Sequence, residues 1–449
     1  MGNTEITVVD AIMGSGKTSA AINFMEANCD KFRFLFITPY LEEVGRIQES
    51  CPLCRFTTPK EFGTKLNSLK QLLKRGDNIA STHALFNGLD DEAIEAIRNG
   101  KYILFMDEVL EVVAPFSVIS KYDLQMLVDA GMLHLREDGS VSWEKQEYDG
   151  VFKRFKQSVE KKHIIWLNES EDSDGYEVFP YSLYSIFDTR SFSCFQKIFV
   201  LTYLFEGSIL KAYFDLYGCS YCYLGTEKRN DMYQFCENVS ASSTNKTLIQ
   251  KITLWETQKN PVGLRPEALC YSWFHGKGKE NPQIKQLKQN ITNFFINIAK
   301  TKSKHCLWTT FKSSKDKLSG AGYARGFEVH NARATNKHKD KTAVVYAVNK
   351  YANPIINHFF ALHGVEIDQD MYALSSMLQF IWRSAIREGK DIWVYIPSLR
   401  MQRLFEDWLL YVGGETNPEK INKVVSTAGK NRFPLTAPLR REAERMVIK

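Results

Sequence analysis

A lysine followed by a threonine, with glycines one and three residues before the lysine, suits phosphate chemistry. The chain carries this combination near its start, as Ala11, Ile12, Met13, Gly14, Ser15, Gly16, Lys17 and Thr18. Gly14 and Gly16 let backbone N–H groups curl around a phosphate chain, which residues bearing a Cβ do less easily. Lys17 is the type that reaches β- and γ-phosphates, and a hydroxyl at the Thr18 position ligates Mg2+ in such loops. Ala11 stands where the first glycine of this pattern is usual. A chance glycine turn before Lys-Thr is the alternative, and the flanks argue against it. The β-branched run Val8-Val9 enters the turn, and residues 19–25 leave it with helical composition. The positive end of that helix would sit on the anion. These residues imply a nucleoside triphosphate with Mg2+.

Asp107 and Glu108 directly follow the apolar run Tyr102-Ile103-Leu104-Phe105-Met106. A carboxylate at the carboxyl end of such a strand faces a phosphate loop across the switch point of an α/β sheet. Asp107 is expected to hold Mg2+ and Glu108 to polarise the attacking water. A solvated Asp-Glu at a strand end is the bland alternative. Further on, Gln379 and Arg383 are four apart, so a helix over 371–387 puts them on one face, with Arg387 one turn beyond. A glutamine with two stacked arginines is equipped to grip a γ-phosphate and to supply an arginine finger. Leu374, Leu378, Ile381 and Ala385 form a separate apolar stripe, which predicts that the Gln-Arg-Arg face is open to a partner. An ordinary basic surface helix is the competing reading.

Positioning these groups requires alternating strands and helices, the pattern of parallel α/β layers. Strands are predicted at 32–37, 78–82, 102–106, 199–202, 305–310, 342–347 and 391–396, and helices at 66–73, 93–97, 284–299 and 371–387. Residues 109–196 exceed what a minimal nucleotide-binding core needs. They contain an amphipathic piece at 123–133, a hairpin around 137–140 and a polar acidic loop at 168–175, and read as an insertion. The expected domains are 1–264 with that insertion, 265–410, and a basic tail at 411–449.

Length and composition agree: 449 residues imply about two to four domains, and 44% hydrophobic residues suffice for packed cores. A net charge of +6 permits a polyanionic partner without demanding one. No apolar run approaches the roughly 20 residues of a membrane span, and the start of the chain leaves no room for a signal peptide. Nine cysteines, an odd number, predict a reducing cytoplasm rather than a disulfide framework. Cys51/Cys54 and Cys219/Cys222 have C-x-x-C spacing, so a shared zinc site is an alternative to ordinary thiols.

Across about four hundred residues the motifs occur in an order that resembles the superfamily 2 helicases, the DEAD/DEAH-like group with two tandem RecA-like domains. Residues 11–18 resemble motif I and Asp107-Glu108 motif II. Thr38-Pro39-Tyr40-Leu41-Glu42 is similar to motif Ia, Ser81-Thr82-His83 to the next threonine loop, and Leu201-Thr202-Tyr203 to motif III. Trp308-Thr309-Thr310-Phe311 is similar to motif IV, residues 332–336 to motif V, and residues 379–387 to motif VI. There are departures. Val109-Leu110 follows the acidic pair, Trp382 replaces a glycine, and Arg387 lies one residue beyond the family's spacing, a turn of about 100° on a helix. The loose motifs and compact start are most similar to helicase-like proteins of bacteriophages.

The resemblance implies an ATP-dependent helicase or translocase with ATP between the two domains. Thr38, Thr82, His83, Thr309, Thr335 and Asn336 would hold the phosphates of single-stranded or forked nucleic acid, DNA favoured over RNA. It also implies replication or recombination partners, no membrane, and the host cytoplasm. Two rivals share the phosphate loop. A phage packaging motor needs a nuclease carboxylate cluster, for which Asp368 and Asp370 are the only candidates. An ATP-switched loading or clamp protein would hydrolyse slowly and ignore polynucleotides.

Overall fold

The computed structural model describes residues 4–60, 64–116, 119–136, 140–145, 147–161, 163–167, 182–237, 247–255, 261–330 and 336–413. These form two compact units. Residues 4–9, 18–222 and 353–367 make the first, and 10–17, 223–352 and 368–413 the second.

The first unit contains β1 (Glu5–Asp10), β2 (Arg33–Thr38), β3 (Ile79–Thr82), β4 (Tyr102–Asp107), β5 (Val113–Pro115), β6 (Leu133–Leu135), β7 (Val141–Trp143), β8 (His163–Leu167), β9 (Ser182–Ile186) and β10 (Lys197–Thr202). Its main sheet runs β1-β10-β4-β2-β3, and β10–β4, β4–β2 and β2–β3 are parallel. Burial on both faces explains the unbroken apolar run Tyr102–Met106 in β4. Across β4 and β10 the rings of Phe105 and Phe199 stack with centroids 4.6 Å apart. The helices follow their end signals. Thr64 caps Lys65–Arg75 by accepting from the Asn67 amide, and Gly76 at φ 77° closes it. Asp90 caps Asp91–Gly100 in the same way.

The insertion has a small core of its own, with Leu124, Leu127, Leu133, Val141, Phe155 and Val159 packed together. Around it lie a three-stranded antiparallel sheet, β5-β9-β8, and the hairpin β6–β7. The expected amphipathic piece is a helix only over Lys121–Asp129, and Gly131 at φ 62° turns the chain into β6. Residues 137–139 and the acidic stretch 168–175 lie outside the described residues.

The second unit has an antiparallel hairpin, β11 (Tyr221–Arg229) and β12 (Met232–Cys236). Its turn places Asn230 and Asp231 at φ 47° and 62°, the left-handed pair that a two-residue hairpin turn needs. A parallel sheet follows, ordered β13-β16-β15-β14, from β13 (Ile252–Leu254), β14 (Cys306–Thr309), β15 (Ala343–Tyr346) and β16 (Ile392–Tyr395). Its core gathers Leu269, Ile284, Leu287, Phe294, Trp308 and Tyr395. The predicted helix near 284–299 is Pro282–Asn293, extended by a π turn, Phe294–Ile298.

The single helix expected over 371–387 is corrected. The helix is Gln369–Ile381, capped by Asp368, and a separate 3-10 turn spans Ala385–Glu388. Between them Ser384 is extended, with its hydroxyl donating to the Ile381 carbonyl at 2.6 Å. The Ala385 amide donates to Lys341 at 2.8 Å instead of continuing the helical ladder. The last described helix, Leu399–Gly413, runs past residue 410, and the basic stretch beyond it lies outside the described residues. Both units are α/β with parallel sheets. No helix among the described residues is long and apolar enough to cross a membrane.

Candidate nucleotide site

At the end of β1, Asp10 is buried, and the chain turns through Ala11–Gly16 into the helix Lys17–Asn28. The turn closes through the Ser15 amide, which donates to Ile12 at 3.2 Å. Gly14 and Gly16 have φ of 81° and 83°, a region that L side chains rarely adopt, so glycine at both is required by the backbone. Lys17 Nζ donates to the carbonyls of Ala11 at 2.5 Å and Ile12 at 3.1 Å, which folds the ammonium back over the loop. Ala11, Met13, Ser15, Gly16, Lys17 and Thr18 are half-buried and Gly14 is exposed. The result is a strand, a left-handed glycine turn and a helix N-terminus, the elements an anion needs.

Asp107 ends β4 in register with Leu201 of the parallel strand β10. Glu108 follows at φ 66°, with its amide donating to Leu201 at 3.0 Å. Both carboxylates are half-buried. Thr18, Asp107 and Glu108 belong to the first unit; residues 10–17, Gln379, Arg383 and Arg387 belong to the second.

Arg383 differs from expectation. It lies beyond the end of its helix and is only 5% exposed, with its guanidinium carbon 5.6 Å from the Phe380 ring centre. Arg387 is exposed on the 3-10 turn and Gln379 is half-buried on the helix. The open Gln-Arg-Arg face is therefore corrected: the break in the helix separates the two arginines, and Arg383 is packed inward.

Near Arg383 the second unit holds a basic cluster that sequence reasoning missed. Lys350 Nζ lies 3.2 Å from His330 Nε2. Burial, helped by the charges of Lys350 and Arg383, pushes the His330 ring down to about 4, and burial also lowers Lys350. Arg400 is committed elsewhere, to Asp370 at 2.6 Å and to Asn349 and the Lys350 carbonyl. Asp370 is thus an ion-pair partner, and Asp368 a helix cap.

Of the residues expected on the polymer, Thr38, His83 and Thr309 are buried. Thr82 caps the short helix His83–Phe86 through the Leu85 amide. Asn336 begins a 3-10 turn, and Thr335 lies outside the described residues. Among the described residues no group of three or more His, Cys, Asp or Glu is arranged to hold a metal ion. Cys54 is nevertheless flanked by the thiols of Cys51 and Cys29, and the contact with Cys51, with burial, raises its pKa. In β11, Cys222 is exposed, and Cys219 precedes the strand.

Two residues that the motifs did not reveal touch the phosphate loop. Thr226 Oγ1 donates to the Ser15 carbonyl at 2.9 Å. The Tyr233 ring lies so close to Gly16 that a Cβ there would overlap it. The signal available was Asn230-Asp231 between alternating runs, a hairpin pattern.

Among solved structures, S. tokodaii Xpd4 is similar at 12% identity with a TM-score of 0.45, covering 91% of this chain and 94% of that one. A structure titled XPD helicase gives 12% identity and a TM-score of 0.37, covering 90% and 95%. A family described as the YonV C-terminal Rossmann-like domain matches residues 246–409, and the YonV middle domain matches 114–173. The SPbeta prophage-derived uncharacterized protein YonV of Bacillus subtilis (strain 168) is 40% identical over 419 residues, which is 90% of this chain and 98% of that protein. With that identity sustained along nearly the whole of both sequences, the chain belongs to the YonV family.

Proposed function

We propose that this protein is an ATP-dependent nucleic-acid helicase or translocase built on two RecA-like units. The observation that carries the reading is the phosphate loop: left-handed Gly14 and Gly16 between a buried strand and a helix that begins at Lys17. Those residues fit a triphosphate with Mg2+. Ala11, Met13, Gly14, Ser15 and Gly16 would cradle the phosphates, Lys17 would reach the β- and γ-phosphates, and Thr18 with Asp107 would hold the metal. Bound Mg2+ would supply charge neutralisation between the phosphates. Glu108 would orient and deprotonate the attacking water, and Gln379 with Arg383 or Arg387 would answer charge on the γ-phosphate. Hydrolysis would drive movement along single-stranded or forked DNA, held at Thr38, Thr82, His83, Thr309, Thr335 and Asn336. The prophage origin of the YonV relative supports a role in phage replication or recombination, in the host cytoplasm.

The test is ATP hydrolysis measured in parallel with single-stranded DNA, duplex DNA and RNA across a salt titration, for wild type and Lys17→Ala. Stimulation by one polymer, falling steeply with salt and absent in the variant, is expected. A basal rate indifferent to every polynucleotide would instead favour an ATP switch.

A further inference from the structure

The hairpin β11–β12 has no part in the motif reading, yet two of its side chains reach the phosphate loop. The cross-strand pairs Thr226–Phe235 and Lys228–Tyr233 put these four residues on one face of the hairpin, since alternate residues share a face. Two of them meet consecutive residues of the loop. Thr226 holds the Ser15 carbonyl, and the Tyr233 ring lies over Gly16. In a planar trans peptide the Ser15 carbonyl and the Gly16 N–H point in opposite directions. A hydroxyl that holds the carbonyl toward the hairpin therefore aims the N–H away from it. The Tyr233 ring fills the space beside the Gly16 Cα, which restricts movement of a residue that, with both signs of φ open to it, otherwise flips readily.

We infer that the hairpin β11–β12 braces the phosphate loop in its anion-binding shape, with Thr226 and Tyr233 as positioning residues for the nucleotide's phosphates. This rests on the ATP reading above. The brace acts on affinity: it sets the direction of a backbone donor and touches no reacting atom. Loss of either contact weakens nucleotide binding while leaving turnover at saturating ATP close to wild type. The benzene ring of Tyr233, not its hydroxyl, does the work, so phenylalanine restores what alanine removes.

The experiment uses the full chain and titrates a fluorescent ADP and an ATP analogue into wild type, Lys17→Ala, Thr226→Val, Thr226→Ser, Tyr233→Ala and Tyr233→Phe. KM and kcat for ATP and the melting temperature are followed for each. Thr226→Val and Tyr233→Ala are expected to weaken binding and raise KM by about tenfold, the scale of one lost hydrogen bond or packed contact. Thr226→Ser and Tyr233→Phe should recover most of that loss. If Tyr233→Ala fails to fold, the near-isosteric Thr226→Val carries the test. Wild-type affinity in both Thr226→Val and Tyr233→Ala, with Lys17→Ala unable to bind, overturns the brace alone. Equal binding by wild type and Lys17→Ala, or none by either, overturns the ATP reading beneath it.

Discussion

Arg383 sits in a packed environment, 5% exposed, with its guanidinium beside the Phe380 ring, whereas Arg387 is exposed on the following turn. An arginine finger must lose water to be effective, and Arg383 has already lost it. Arg383→Ala is expected to cut turnover by about 10³–10⁵ while ATP still binds, and Arg387→Ala to cut it far less. Turnover and nucleotide affinity measured side by side check this, with a melting curve to confirm that the buried side chain's removal leaves the fold intact. Near-normal hydrolysis by Arg383→Ala would take Arg383 out of the chemistry. Lys17 and Asp107 could be picked out of the sequence as candidates because the local order of residue types marks them. His330 and Lys350 could not, because twenty residues separate them and only the sheet brings the imidazole and the ammonium to 3.2 Å.

Helix Leu399–Gly413 buries Asp407 completely, and neither of its carboxylate oxygens has a hydrogen-bond partner among the described residues. Burial, reinforced by neighbouring Glu406 and opposed by Arg403, raises its pKa to about 7 from an ordinary 3.8. A raised acid favours the folded state below its unfolded pKa, and that stability is lost as pH rises through the folded value. The wild-type melting temperature should therefore decline between pH 4 and pH 7 relative to Asp407→Asn, which lacks the titration. Parallel profiles for the two proteins would exclude the effect. Helices whose ends carry local signals were legible: Thr64 and Asp90 cap as their types predict. The break after Ile381 was not, because no proline or glycine marks it. Trp382 packs edge-on against Trp408, and Ala385 bonds to Lys341, contacts made by residues distant in sequence.

Two parallel sheets account for most of what the strand pattern promised; in the insertion after β4 the pattern marked the amphipathic piece and the hairpin β6–β7 but not the sheet β5-β9-β8. The insertion's segments are short, and among the described residues the buried core they form lies between residues 124 and 183, with Phe116 and Ile119 packed against it. Self-contained packing predicts local stability. Leu127→Ala, at a 1% exposed position, should cost about 2–5 kcal/mol. Hydrogen exchange should register that loss within 119–161 while β4 and β10 keep their protection. Uniform deprotection of all three would show that the insertion does not open on its own. The placement of 10–17 with the second unit was not foreseen from the sequence: there Ser15 meets Thr226 of a hairpin some two hundred residues away.

The left-handed backbone of Glu108, at φ 66°, sets evolution a conflict. A side chain in that conformation costs about 1–2 kcal/mol, which glycine avoids in part. Glu108→Gly should therefore melt a few degrees higher and, if the carboxylate orients water, lose hydrolysis; calorimetry and a phosphate-release assay on the same sample read both. A laboratory selection for heat tolerance alone would drift toward glycine there and discard the carboxylate.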